Sequence, residues 1–526
     1  RNKAIDLAWA KRYLEGGEDM PLWTHALRSI CKEHLISSDA TKCAHDSYKN
    51  HIIQDLHINT RDLPSNAKRV MATFKTHGIR FDPINPAQNI KEDLPIWHHI
   101  FIPKKSRPRY NTAACKCLRA VHNVHTVGDL LRFVSSIINN ENHQRTKLCQ
   151  CRACIEARTK GCSDPHRCVQ DADKLAQKLP AKWDPRISFK AHYELTTPEV
   201  KRNKENSKKG GPVIFNPAIR EEKSLEECYR VFGHNNSQDT QPRPDNPLAD
   251  PDAPYRTVYL SERKNVDRAT GKTTGLAAGI WSDTAGRTER KSVHTSRKTD
   301  GYALLTAMLD VLNRAETEEN IELVIPQRSL IVALTKDLQR HDDEGWLNVP
   351  NRPQAQALVA KLRGRPGRTA MRSSRNEKGL TMANELATEG LSLGAYTHQT
   401  IASNPLEVRG AAMHKMTQKH FYNVLMEAKR PPVRTQTAPN IQHARTSAGR
   451  EGRPPTDSQI WRSMRSRVLR RNVRQFLYKA AHDAHRCGRH WKDIPECEHR
   501  VYCNHCSKNG IMVEESLQHI LTECAA

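Results

Sequence analysis

TVYLSERKNVDRATGKTTGLAAGIWSDTAGRTERKSVHTS, residues 257–296, is the stretch on which the reading of the fold turns. Within it TVYLS (257–261), LAAGIWS (276–282) and RKSVHTS (290–296) are short β-branched and apolar runs divided by Gly, Asp, Asn and Lys, which predicts three strands. Just beyond, Asp300 is read as the cap of a helix whose Leu304, Leu305, Met308, Val311 and Leu312 form an apolar stripe at helical spacing. IELVI (321–325) predicts a buried strand, LIVALTKDL (330–338) a helix, 354–363 another helix, TAMR (369–372) a short strand and TMANELATEG a last helix. The order β-β-β-α-β-α-α-β-α implies a mixed sheet covered by helices, in an α+β chain.

The chain has 526 residues, which suggests several domains, and its 84 Lys and Arg against 58 Asp and Glu leave a net charge of +26. Such an excess attracts polyanions, so RNA, DNA or an RNA–DNA hybrid is the expected partner. No apolar run is long enough to span a membrane, and charges interrupt the first helix, RNKAIDLAWAKRYLEGG. The expected location is therefore nuclear or cytoplasmic, without secretion.

Residues 1–186 read as helical, with Ile5, Leu7, Ala8 and Leu14 and later Val127, Leu130, Leu131, Val134 and Ile137 at three- and four-residue spacings. KKSRPRY (104–110) and the pair Cys115, Cys117 are read as a solvated loop, with added phosphate or metal contacts as the alternative. Residues 187–255, rich in Lys, Asn, Pro, Asp and Gly, read as a disordered linker, 256–392 as the sheet domain, 393–456 as a helix with a second polar linker, and 457–526 as a C-terminal module.

Cysteines cluster. Five of the 15 fall in KLCQCRACIEARTKGCSDPHRC (147–168). Without a secretory signal, such spacing reads as metal thiolates, because a CxxC turn supplies two ligands of a zinc tetrahedron. Five thiols exceed four places; the favoured set is Cys151, Cys154, Cys162 and Cys168, with Cys149 spare and His166 nearby, and redox thiols or chance clustering as the alternative. At the C-terminus Cys503-x2-Cys506-x12-His519-x4-Cys524 is a CCHC array, the strongest local motif, with Cys497 and His505 spare. Ahead of it Arg462, Arg465, Arg467, Arg470, Arg471 and Arg474 crowd thirteen residues beside Trp461, Met464, Val468, Phe476 and Ala480, a pattern suited to a phosphate backbone or an import signal.

The strand and helix order, LTKDLQRHDDEGWLNVPN (334–351) with its Asp-Glu-Gly-Trp turn at 343–346, and the helix ANELATEG together resemble the type 1 ribonuclease H domain over about 257–390. The resemblance implies a nuclease that cuts the RNA strand of RNA–DNA hybrids with two Mg²⁺ held by four carboxylates. At the matching positions this chain has Ser261, Leu304, Pro326 and Asn384, and Ser374 where the family has a mobile His. Mg²⁺ would then be a cofactor only if other acids stood in: Glu262 and Asp300 are the nearest. The CCHC array followed through Glu-Ser-Leu-x-His-Ile-Leu resembles the zinc-binding domain that ends the reverse transcriptases of non-LTR retrotransposons. The whole is similar to the downstream part of such a polyprotein, of a kind found in fungi. No Tyr-x-Asp-Asp motif occurs, and the first residue is Arg, so the polymerase region is expected upstream.

Three functions follow as expectations. The leading one is a nucleic-acid-binding protein with structural zinc and a ribonuclease H-like domain that has lost its catalysis, either kept for binding or, as favoured, a decaying element copy. The others are a ribonuclease H with unconventional ligands and a zinc-dependent protein-interaction module.

Overall fold

The computed structural model describes residues 2–15, 20–35, 51–107, 110, 112–187, 194–233, 248–267, 273–284, 287–297, 299–347, 349–392, 408, 410–428, 437–448 and 454–524. Two compact units divide the chain: 1–263 with 276–428, and 264–275 with 429–526. The fold is α+β. The strands are β1 (Arg80–Phe81), β2 (Val213–Ile214), β3 (Tyr229–Val231), β4 (Tyr255–Val266), β5 (Thr273–Thr284), β6 (Arg287–Thr295), β7 (Asn320–Ile325), β8 (Thr369–Ser373) and β9 (Ala411–Ala412).

Six of them form one mixed sheet in the order β2-β8-β7-β4-β5-β6. β4 runs parallel to β7, and β7 parallel to β8, while β5 and β6 pair antiparallel and β2 is antiparallel on β8. The alternation expected of strands explains both faces. Val258 and Leu260 of β4, with Leu276, Ala278 and Ile280 of β5, point into a core shared with the helix Tyr302–Arg314 and the helix Arg352–Gly364. The opposite face receives the helix Lys378–Leu391, which approaches so closely that a side chain on Gly279 would meet the Ala383 carbonyl oxygen at 1.9 Å. Ser292 Oγ donates to the Leu386 carbonyl at 2.7 Å on the same face.

Several local expectations need correction. The helix expected over 330–338 is two, Arg328–Leu334 and Leu338–Asp343, broken at Thr335. Asp300 is not the N-cap of the following helix; Gly301 takes that place with φ +82°. The stretch 187–255 holds a 13-residue helix, Thr197–Lys209, opened by a Thr196–Glu199 capping box and closed by Gly210 in the left-handed region at φ +77°. It also holds β2 and β3. Asn203 fastens β2, its Oδ1 accepting from Ile214 N–H at 2.9 Å and its Nδ2 donating to the Ile214 carbonyl at 2.8 Å. Residues 188–193 and 234–247 of that stretch, and 431–436 and 449–453 of the second one, lie outside the described residues. KKSRPRY includes a short 3-10 turn at Lys104–Ser106, while 108–109 lie outside the described residues.

The N-terminal helices share a second core, to which residues far along the chain contribute. The helix Asn2–Leu14 packs on the helix Gln418–Ala428, and Lys11 Nζ donates to the carbonyls of His414 and Met416 at 2.8 and 3.1 Å. Leu347, Ala411, Met413, Met416 and Phe421 are buried in this core, beside the three-stranded sheet β1-β3-β9. Between the two cores lies a polar junction. Asp342 pairs with Arg363, which is 1% exposed, and accepts from Trp346 Nε1 at 3.0 Å. Arg230 donates to the Asp342 carbonyl at 3.1 Å and pairs with Glu222 at 3.3 Å. The tight Asp-Glu-Gly-Trp turn puts Gly345 and Trp346 at positive φ, and a side chain on Gly345 would strike the Gly410–Ala411 backbone.

In the C-terminal unit the helices Thr437–Ala448, Asp457–Met464 and Arg471–Ala481 surround a core of Ile441, Ile460 and Ala481, and a short helix, Asn504–Lys508, follows. Among the described residues no helix is long and apolar enough to cross a membrane.

Because Asp342 is the carboxylate that faces a buried guanidinium, Asp342→Ala strands Arg363, and the loss expected is about 3–5 kcal/mol. Urea unfolding of the full chain measures it; a shift below about 1 kcal/mol, within the range of an ordinary surface change, would contradict the role given to this pair.

Candidate functional site

The strand register tests whether the four positions matched to the ribonuclease H carboxylates belong together. β4 and β7 pair from Tyr255↔Asn320 to Tyr259↔Val324. Continued by two residues, that register sets Ser261 beside Pro326. Ser261 Oγ donates to Asn384 Oδ1 at 3.2 Å, joining the end of β4 to the helix Lys378–Leu391. Leu304 reaches the same end through its backbone, as its N–H donates to Glu262 Oε2 at 3.0 Å. The four positions therefore meet at one end of the sheet, and none carries an acid.

The neighbouring acids are already engaged. Strand alternation turns Ser261 toward Asn384 and Glu262 toward the helix Tyr302–Arg314. There Glu262 Oε1 accepts from Gly301 N–H at 2.8 Å and Oε2 from Leu304 N–H, so the carboxylate caps the helix start. Burial pushes the Glu262 carboxyl above its ordinary range, against the pull of these N–H donors. Glu377, the N-cap of the helix Lys378–Leu391, pairs with Arg372, whose guanidinium holds it at about 2. Arg372 Nε also donates to Glu322 at 3.0 Å. Ser374 donates its N–H to the Ile325 carbonyl at 3.2 Å.

Among the described residues three groups have donor atoms converging within 4.8 Å as a metal would need, and each is three Cys and one His. Cys503, Cys506, His519 and Cys524 form one. Cys503 and Cys506 Sγ lie 3.7 and 3.9 Å from Cys524 Sγ, and Cys506 Sγ lies 3.3 Å from His519 Nε2. Metal–sulfur bonds of about 2.3 Å and metal–nitrogen bonds of about 2.0–2.1 Å around a tetrahedron imply S···S near 3.8 Å and S···N near 3.5 Å, so the donors are compatible with zinc. The turn is built by Cys503 N–H donating to the Val513 carbonyl at 2.9 Å and Glu515 N–H to the Val501 carbonyl at 2.8 Å. The Cys506 backbone N–H draws the Cys503 thiol down to about 6, while burial raises Cys506 to about 11. Glu523 sits 3.9 Å from His519 Nδ1, on the ring nitrogen that faces away from the thiols. His519 opens a short π-type turn, His519–Glu523.

Cys151, Cys154, Cys162 and Cys168 do not converge as one set. Cys151 and Cys154 lie with His143 and Cys149, and Cys162 and Cys168 with Cys117 and His122.

The six arginines are spread over a bend. Arg462 lies in the helix Asp457–Met464, Arg465 and Arg467 in the turn after it, Arg470 caps the helix Arg471–Ala481, and Arg471 and Arg474 lie within that helix. Arg462, Arg465 and Arg467 line an open groove of about 760 Å³ with Ser458, Ser466, Trp461, Tyr478 and His482. Trp461 stacks on His482 with centroids 5.3 Å apart, and Tyr478 meets the same imidazole edge-on at 4.4 Å. Tyr478 and His482 carried no sequence signal beyond their place in a helical run; only the bend brings them beside the arginines.

No family model matches the chain, and no curated protein does. Among solved structures it is similar to LC9-RNase H1, a type 1 RNase H with the type 2 active-site motif, at 16% identity and TM-score 0.22, covering 27% of this chain and 74% of that one. The foamy viral protease-reverse transcriptase in complex with dsDNA matches at 16% identity and TM-score 0.23, over 26% of this chain and 93% of that one. The same viral enzyme with RNA/DNA hybrid matches at 14% and 0.23, over 30% and 23%.

Two outcomes follow from the geometry. Glu262→Ala removes a helix cap and should cost about 0.5–2 kcal/mol, seen as a lower denaturation midpoint; an unchanged midpoint would mean the carboxylate does no capping. Cys503→Ser with Cys506→Ser should release one equivalent of bound metal and open residues 501–524 to limited proteolysis, since after Ala481 the only buried apolar residue among those described is Cys503. Equal metal content in the double variant would contradict this quartet.

Proposed function

We propose that this chain is a non-LTR retrotransposon-derived protein of fungal type that binds nucleic acid through its C-terminal unit and does not cleave it. The observation that carries the reading is the groove in which Arg462, Arg465 and Arg467 stand beside the exposed Tyr478 and the half-buried Trp461 and His482. Guanidinium groups pair with phosphates and release their counterions, and aromatic faces accept unstacked bases whatever their sequence. A chain with a net charge of +26 brings such a partner in by long-range attraction. Arg470, Arg471 and Arg474 extend the basic surface along the next helix. Zinc, bound by Cys503, Cys506, His519 and Cys524, closes the terminal module, which lacks an apolar core of its own.

Loss of catalysis rests on charge. Two Mg²⁺ a few ångströms apart need several carboxylates to neutralise them, whereas Ser261, Leu304, Pro326 and Asn384 are neutral and Glu262 is committed to the helix start. The Ser261–Asn384 hydrogen bond occupies the place where two acids would face the metals.

A second reading, contact with a protein partner, is favoured by the exposed Ile511, Met512 and Leu521 of the terminal module, at 59%, 65% and 63% exposure. Salt separates the two. For a labelled RNA–DNA hybrid and a single-stranded RNA in Mg²⁺, log affinity should fall steeply with log salt and no RNA strand should be cut. Replacing Arg462, Arg465 and Arg467 together should lower the slope by about 2–3, at about 0.7–0.9 per phosphate contact. Tyr478→Ala should weaken single-strand binding by about 1–3 kcal/mol. Salt-indifferent binding would favour the protein-contact reading, and Mg²⁺-dependent cleavage would overturn the non-catalytic one.

A further inference from the structure

We propose that the cysteine cluster of the N-terminal region is a two-zinc module, so that the chain carries three structural zinc ions, with His143, Cys149, Cys151 and Cys154 holding one and Cys117, His122, Cys162 and Cys168 another. The first quartet has the distances of a tetrahedron around one ion. His143 Nδ1 lies 3.3 Å from Cys149 Sγ, 3.7 Å from Cys151 Sγ and 3.4 Å from Cys154 Sγ, against the S···N separation of about 3.5 Å that zinc bond lengths impose. In the second, Cys162 and Cys168 Sγ are 3.8 Å apart, the S···S edge of such a tetrahedron and far beyond a disulfide of about 2.05 Å. All the thiols concerned are free.

Local structure prepares both quartets. Cys151 is the N-cap of the helix Arg152–Thr159 and Cys154 lies in its first turn, where the helix dipole favours thiolate. Cys149 Sγ accepts from the backbone N–H of Gln144 at 3.2 Å and of Cys151 at 3.5 Å. Cys117 sits near the end of the helix Ala113–Ala120, with His122 just after it, and Cys168 in the helix Pro165–Ala176. The segment between Ile138 and Cys151 has no regular secondary structure, yet Cys149 is 0% exposed. Among the described residues the small apolar cluster there buries Ile137, Cys149, Cys151, Cys154 and Val169, three of the five being thiols, with Phe133 and Ala153 packed against it. So few apolar groups cannot order a dozen loop residues, and a closed zinc site supplies the missing cohesion.

The two sites are linked. His143 Nε2, the nitrogen facing away from the thiols, lies 3.2 Å from His166 Nδ1, and His166 Nε2 is 2.8 Å from the Gln170 side-chain amide. With Nδ1 on a metal, His143 donates its Nε2–H to His166, which donates in turn to the Gln170 carbonyl once that amide is turned about. His166 stands two residues from Cys168, so the residue that orients one site's imidazole is carried by the helix that supplies a thiolate to the other. His166 is a positioning residue here, not a ligand.

The test counts metal in the full chain. Elemental analysis should give three zinc per wild-type chain and two after Cys503→Ser with Cys506→Ser, which sets the C-terminal quartet aside. In that background Cys149→Ser and Cys117→Ser should each leave one, while Cys149→His and Cys117→His, which keep a donor, should retain two. Cobalt titration of the wild-type chain should likewise reach three tetrahedral equivalents by its d–d and thiolate charge-transfer bands. His166→Ala should keep the count and weaken one equivalent about 10–100-fold against a competing chelator. One site made from Cys151, Cys154, Cys162 and Cys168 predicts two ions in the wild-type chain, and no loss on changing Cys149 or Cys117. That result, with zinc and cobalt alike, would overturn the proposal even if the serine variants folded poorly.

Discussion

The Asp342 carboxylate ties the first unit together. On one side it meets a guanidinium that has almost no access to solvent, on the other the indole of Trp346, and its own carbonyl receives Arg230 from the small three-stranded sheet. There are two apolar cores, one under the six-stranded sheet and one among the N-terminal helices. What joins them is polar. A junction of this kind adds little net energy when complete but is costly to break, so it fixes how the two cores meet rather than how firmly each is packed.

The parts legible in sequence were those whose order is local. β4, β5 and β6 announced themselves because alternating apolar residues and turn-formers are written within forty consecutive positions, and the stripe from Leu304 to Leu312 did the same for its helix. Thr335 gave no sign that 330–338 would break. The two-residue strand β2 is too short for any period, and its order comes from Asn203 and from partners on β8 more than a hundred residues away. Glu199, within a stretch read as too polar to fold, is buried against Arg368.

The candidate sites follow the same rule. The CCHC spacing near the C-terminus was readable because its four donors fall within 22 positions, Cys503 to Cys524. In the earlier cluster, five thiols were visible, but their grouping depends on His143 ahead of the run and on Cys117 and His122, 45 and 40 positions before Cys162. Spacing alone pairs neighbours; here the helix Arg152–Thr159 separates Cys154 from Cys162 and sends them to different groups. The end of β4 shows the converse case. Neutral residues at the four matched positions were visible at once, but only the structure shows Glu262 engaged with the start of a helix.

β2 also bears on how the molecule behaves among copies of itself. A bare β8 would present a row of backbone donors and acceptors at the sheet's margin, the surface on which a second chain could add a strand. Val213 and Ile214 occupy the middle of that row, and Phe215 N–H continues it to the Thr369 carbonyl at 2.8 Å. At the other margin β6 carries the exposed Arg290 among polar neighbours, so an approaching strand would have to desolvate charge. The segment between helical region and sheet thus acts as a seal: a chain beginning after residue 215 would keep the strands β4 to β8 but lose the protection of that margin against edge-to-edge association.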